Sequence, residues 1–198
     1  MKLPFIFAKR FVAGEGFSSS LPAAKQLNQA RHQLTLDLLG ENIYSRTQAE
    51  DNVKAYVEVL KGIKQHKLLS GISIKLTMLG LDIDVEYCAD NLFSIMEHAR
   101  VHDQFVRIDM EGGAYTSLTL DLFKRAHAEY GSQHIGTVIQ AMLHRSKEDI
   151  AELAGLGADI RLVKGAYKET KKKAYQKISD IREAFNAYAE VLINSTAF

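Results

Sequence analysis

Five short runs of this chain alternate apolar and polar residues with a period of two, and longer stretches with helical spacing separate them. The runs are HQLTLDLLG, GISIKLTML, FVRIDMEGG, IGTVIQAML and DIRLVKGAY. Strands that alternate with helices lie parallel and are joined by right-handed crossovers, so the class is α/β. The second faces narrow the choice further. An open parallel sheet covered by helices on both sides reads as nearly continuous Val, Ile and Leu. Here Leu34, Leu36 and Leu38 alternate with Thr35 and Asp37, while Ile72, Ile74 and Leu76 alternate with Ser73, Lys75 and Thr77. Val106, Ile108 and Met110 alternate with Arg107, Asp109 and Glu111; Gln140 lies opposite Ile139, and Arg161 opposite Ile160 and Leu162. A barrel accounts for this better than a flat sheet. Its apolar set packs outward on helices, and its inner set converges on one axis, with polar groups near the carboxyl ends of the strands.

The helices are expected from their stripes and end signals. Thr47 and Glu50 have capping-box spacing ahead of DNVKAYVEVLKGIKQH, whose Val53, Tyr56, Val57, Leu60 and Ile63 share a face. A second helix is expected from Val85 to about His102, and a third from Thr116 to Tyr130 with Gly131 as its stop. Ser146 with Asp149 reads as an acidic start signal for a short helix, and a last helix runs from about Ser179 to Asn194. No linker or low-complexity tract interrupts the pattern, so residues 1–198 are read as a single domain. The opening MKLPFIFAKRF reads as an amphipathic entry segment and KETKKKAYQK (168–177) as a solvated loop.

Composition excludes several classes. At 46% hydrophobic residues a chain of this length can bury a core. A net charge of +1 recommends neither nucleic acid nor an anionic membrane through a global field. The single cysteine, Cys88, rules out an internal disulfide and reads as a small buried helix residue. No apolar run approaches the roughly 18–20 residues of a membrane span.

Lys75, Asp109, Gln140 and Arg161 recur at similar places on successive strands, and on a barrel they would point toward one another. Opposite charges among them supply the partners that buried charges need. A lysine in such a pocket is open to a second reading, a Schiff-base lyase or aldolase with Lys75 or Lys164 as nucleophile.

FVAGE (11–15), LGE (39–41), SIKLTMLGLDID (73–84), VRIDME (106–111), TVIQAMLHR (137–145) and IRLVKGAYKE (160–169) resemble, in order and spacing, the proline dehydrogenases. That family includes single-function bacterial enzymes and a domain of bifunctional proline-utilisation proteins. The resemblance implies a (β/α)8 barrel of which about five βα units are present here. It implies FAD as cofactor, L-proline oxidised to pyrroline-5-carboxylate, and a quinone as electron acceptor. It further implies a cytoplasmic protein, peripheral at the inner membrane, homo-oligomeric, with no metal. By resemblance Lys75 pairs with the substrate carboxylate, Asp109 organises the basic groups around substrate and flavin, and Tyr167 lines the substrate side. Gln140 hydrogen-bonds the flavin ring, Arg161 lies at its reactive edge, and Val163, Lys164, Gly165 and Ala166 cradle the cofactor. The family continues with further strand–helix units that carry a Thr-His pair and two carboxylate-clamping arginines. The chain is therefore expected to be the N-terminal part of such a barrel, either a piece of a longer protein or completed by a second copy, and inactive or a mere flavin-binding fragment by itself.

Overall fold

The computed structural model describes residues 12–195, so the amphipathic entry segment lies outside the described residues. Five parallel strands, β1 (Leu34–Asp37), β2 (Ser70–Ile74), β3 (Val106–Ile108), β4 (Ile135–Gln140) and β5 (Asp159–Val163), pair in sequence order. The described helices are α1 (Phe17–Gln29), α2 (Arg46–Gln65), α3 (Val85–Val101), α4 (Thr116–Tyr130), α5 (Ser146–Gly155) and α6 (Ile178–Ile193). This is the strand–helix alternation of a (β/α)8 barrel, left open: among the described residues β1 and β5 each keep one unpaired edge.

Register divides the sheet into two faces. Leu36, Ile72, Val106 and Ile135 are consecutive partners, and Ile108, Thr137 and Ile160 continue that outer set. Asp37, Ser73, Arg107, Gly136 and Asp159 form the inner set, with Val138 beside Arg161 and Gln140 beside Val163 in the next layers. Outer residues of the central strands are fully buried against helical stripes that include Leu60, Ile63, Leu92, Ile95, Met96 and Phe123. Burying each such side chain contributes about 1.5–3 kcal/mol. The outer residues Leu34, Leu36, Ile160 and Leu162 are only half-buried, as members of edge strands.

Several local expectations change. The helix α1 carried no recognised signal: Pro22 lies inside it and Ser18, Ser19 and Ser20 fill its first turn. Phe17 anchors it by stacking on His66 at the end of α2, with ring centroids 6.0 Å apart. Neither expected capping box forms. Ser45, not Thr47, precedes α2, and Ser45 makes no side-chain cap. Ahead of α5, Arg145 takes the Asp149 carboxylate, and the Ser146 hydroxyl turns back to the carbonyl of Gln140. A cap that does form is Asp84, whose Oδ1 accepts the amide of Tyr87 at 2.8 Å and opens α3. Gly131 ends α4 as expected, with φ +71. β2 is shorter than its alternation suggested. It ends at Ile74, and Leu76–Leu79 form a 3₁₀ turn. Lys75 is the extended residue between the two, at the strand end rather than mid-strand.

Candidate active site

The inner face is ionic, layered and largely self-satisfied. In the lowest layer Arg107 is buried, and its guanidinium pairs with the Asp159 carboxylate at 2.6 Å and donates to the carbonyls of Thr137 and Asp159. It stacks on the Phe105 ring, 4.7 Å away. Gly136 makes room, since a Cβ there would stand 2.2 Å from the guanidinium nitrogen. Burial pulls the Arg107 pKa down, and Asp159 opposes the loss of charge.

One layer higher, Lys75 is held between two carboxylates. Its Nζ donates to Asp37 Oδ2 at 2.9 Å and to Asp109 Oδ2 at 3.3 Å, and its side chain is 13% exposed. Asp109 also accepts the Ser73 hydroxyl at 2.7 Å and lies 3.7 Å from the Arg161 guanidinium. Arg161 reaches across to Thr35 on β1 at 3.3 Å, a contact between the two edge strands that only a strongly curved sheet allows. Burial disfavours the charge on Lys75, but the hydrogen bond and charge of Asp37, with Asp109, lift the ammonium above the ordinary lysine value. Burial dominates at Asp37 and raises its carboxyl despite Lys75. A doubly paired lysine of raised pKa is a poor nucleophile, which counts against the Schiff-base reading for Lys75.

The top layer is a belt of hydrogen bonds through the end of β4 and the loops that follow the other four strands. Ala166 N–H donates to Gln140 Oε1 at 3.4 Å, and Gln140 Nε2 donates to the carbonyl of Glu111 at 2.9 Å. The Glu111 carboxylate accepts both the amide and the hydroxyl of Thr77, and Thr77 Oγ1 accepts the amide of Asn42 at 3.0 Å. Tyr167 OH donates to Glu41 Oε1 at 2.7 Å, which returns the belt from the β5 loop to the β1 loop. Glu111 is 2% exposed, and burial raises its pKa. Burial, then the bond to Glu41, raises Tyr167 as well.

Of the expected residues, the structure brings Lys75, Asp109 and Arg161 into one cluster. Gln140 shares their face but not their network: at 2% exposure its amide is turned to the backbone of Glu111 and Ala166. Val163 pairs with Gln140 in register, and Lys164 is exposed with no ion-pair partner among the described residues. Gly165 has φ +110, and a Cβ there would stand 2.5 Å from the Met142 sulfur, so the chain itself requires this glycine before any ligand does. Two residues were missed as members of the site. Asp37 is the nearer carboxylate to Lys75, and Glu111 is the hub of the belt; the same period-two alternation that exposed Asp109 already placed both on the inner face.

An open parallel α/β barrel with a lysine–carboxylate–arginine cluster at its strand ends is the class these observations define. A family model for proline dehydrogenase matches residues 20–192. The chain belongs to the proline dehydrogenase family. It is similar to proline dehydrogenase 2 of Bacillus subtilis subsp. natto, 38% identical over 180 residues that cover 91% of this chain and 59% of that protein. The proline dehydrogenase of Deinococcus radiodurans is 33% identical over 181 residues, covering 90% of this chain and 58% of that one. The chain thus spans less than two thirds of the length of these curated relatives. The solved proline utilization A of Bdellovibrio bacteriovorus, inactivated by N-propargylglycine, shares the fold. Its TM-score is 0.87 over 96% of this chain and 24% of its own, at 24% identity.

Proposed function

We propose that this chain forms the lysine-bearing half of an FAD-dependent proline dehydrogenase site, one that oxidises L-proline to 1-pyrroline-5-carboxylate. The observation that carries the reading is Lys75, fixed between Asp37 and Asp109 at the mouth of the inner face, in a chain of this family. An ammonium has three N–H donors and two are taken, so the third is free for a substrate carboxylate.

The residues at the end of β5 fit a flavin nucleotide. Arg161 is 40% exposed on its side chain, and Lys164 is exposed and unpaired among the described residues, so two cations face the rim without a full complement of acids. Arg161 and Lys164 would hold the cofactor, with the backbone of Val163 to Ala166 beside it. The flavin, when bound, supplies the acceptor for the hydride that leaves the ring carbon next to the proline nitrogen. Asp109 favours the charged form of Lys75 and holds Arg161 beside it, and the belt through Glu111 fixes the loops that carry them. On this reading the electrons pass to a quinone, and the protein works on the cytoplasmic side as a peripheral partner of the inner membrane and as an oligomer. No helix among the described residues is long and apolar enough to cross a membrane.

The test is anaerobic addition of L-proline to the purified, FAD-loaded protein extended by the strand–helix units that its longer relatives carry. Bleaching of the flavin absorption band supports the reading. A protein that retains FAD but is not bleached by proline contradicts the dehydrogenase, and covalent trapping of Lys75 or Lys164 by borohydride with a carbonyl compound would establish the aldolase instead.

A further inference from the structure

Proline carries an ammonium at neutral pH, and hydride can leave its ring carbon only after that nitrogen has lost a proton. Resting on the reading above, we infer that Asp37 is the proton acceptor, taking the ammonium proton on Oδ1 before the hydride leaves. In an α-imino acid the nitrogen is two bonds from the carboxylate carbon, about 2.5 Å away. A substrate whose carboxylate takes the third hydrogen of Lys75 therefore brings its ammonium beside one of the two carboxylates that flank Lys75.

Those two carboxylates are not equivalent. Both oxygens of Asp109 are engaged, Oδ1 by the Ser73 hydroxyl and the Arg161 guanidinium and Oδ2 by Lys75. Asp37 uses only Oδ2, and its Oδ1 has no partner among the described residues. The Asp37 side chain is 30% exposed, on the inner face, whereas Glu111 is covered and both its oxygens are held by Thr77. The charged and titratable groups that act on Asp37 are Lys75, Asp109, Arg161 and Tyr56. In the step the N–H bond breaks, its electron pair stays on nitrogen, and an O–H bond forms on Oδ1. Lys75 and Arg161 against Asp37 and Asp109 sum to zero charge, and a zwitterion adds none, so the transfer leaves the local charge unchanged. Cations beside the ammonium lower its basicity while burial raises that of Asp37, which narrows the gap the proton crosses.

Two measurements test this. The first needs no cofactor. A ¹³C NMR titration of the Asp37 carboxyl should give a midpoint above the usual aspartate range, and a midpoint at or below that range overturns the assignment. The second, in the protein extended by the strand–helix units of its longer relatives, compares wild type with Asp37→Asn in anaerobic reduction of the bound flavin by proline. At neutral pH the variant should be slower by roughly 10²–10³-fold in the limiting rate with little change in the proline concentration needed. That deficit should shrink as pH rises toward the amine's own pKa, where free amine arrives already deprotonated. A deficit that is constant with pH, or one seen as a raised proline KM, would make Asp37 only a support for Lys75 and overturn the inference. If wild-type flavin is not reduced by proline the dehydrogenase reading fails, and the carboxyl titration still decides whether Asp37 has the basicity the role demands.

Discussion

The two faces of one sheet are built by opposite rules. On the outer face the central strands meet helices through residues such as Ile72, Ile74, Val106, Ile108 and Phe123, all fully buried and all apolar. On the inner face, one residue along the same strands, stand Ser73, Lys75, Arg107 and Asp109, each bonded to a specific partner. Shape and area hold the outer face, so it tolerates apolar replacements of similar volume. The inner face is held by specific hydrogen bonds and ion pairs, where removing one partner strands another. The lesson is that stability and chemistry are separated across the thickness of a single β-sheet.

Substitutions can break that separation or sharpen it. The largest loss of stability belongs to the outer face: Phe123→Ala should cost about 3–5 kcal/mol in urea unfolding, by leaving a cavity between α4 and the sheet. Next comes the lowest inner layer. Arg107→Met should cost about 3 kcal/mol, because Asp159 and two strand carbonyls lose their donor; a neutral result would mean the inner pairs contribute little. Lys75→Ala should act mainly on substrate, weakening proline binding by about 1.5–3 kcal/mol in a loaded enzyme, read as a raised KM. Unchanged proline affinity would remove Lys75 from the carboxylate site.

The smallest effect is a pH dependence. The folded-state pKa of Glu111 is raised from its ordinary 4.5, chiefly by burial. Its contribution to stability is then fully present below about 4.5 and is lost as pH rises through the raised value. Glu111→Gln should flatten the stability–pH curve in that window; a curve identical to wild type would mean that the carboxyl is better solvated than its 2% exposure indicates.

Much of this was legible in the sequence because the signals were periodic. Helices α2, α3, α4 and α6 show their stripes, and α4 was bounded at both ends by Thr116 and Gly131. Strand parity placed Lys75, Asp109 and Arg161 on one face. Helix α1 was not legible because Pro22 and three serines weaken its local signal, and its hold on the fold comes from the distant contact of Phe17 with His66. The Ser146–Asp149 start signal failed because other nearby partners claim both side chains: Asp149 is taken by Arg145, four residues before it, and Ser146 by the carbonyl of Gln140. The preference of Lys75 for Asp37, and the capture of Gln140 by Glu111 and Ala166, depend on loop geometry that alternation alone does not encode.

The claim on which the site rests is that Lys75 and Asp109 meet on the same inner face. A double-mutant cycle of Lys75→Met and Asp109→Asn, read by urea unfolding of the chain without ligand, tests it most directly. Contact between the two should appear as a coupling energy of roughly 0.5–3 kcal/mol. Effects that add within about 0.3 kcal/mol would show that the two side chains do not meet, and would contradict the account.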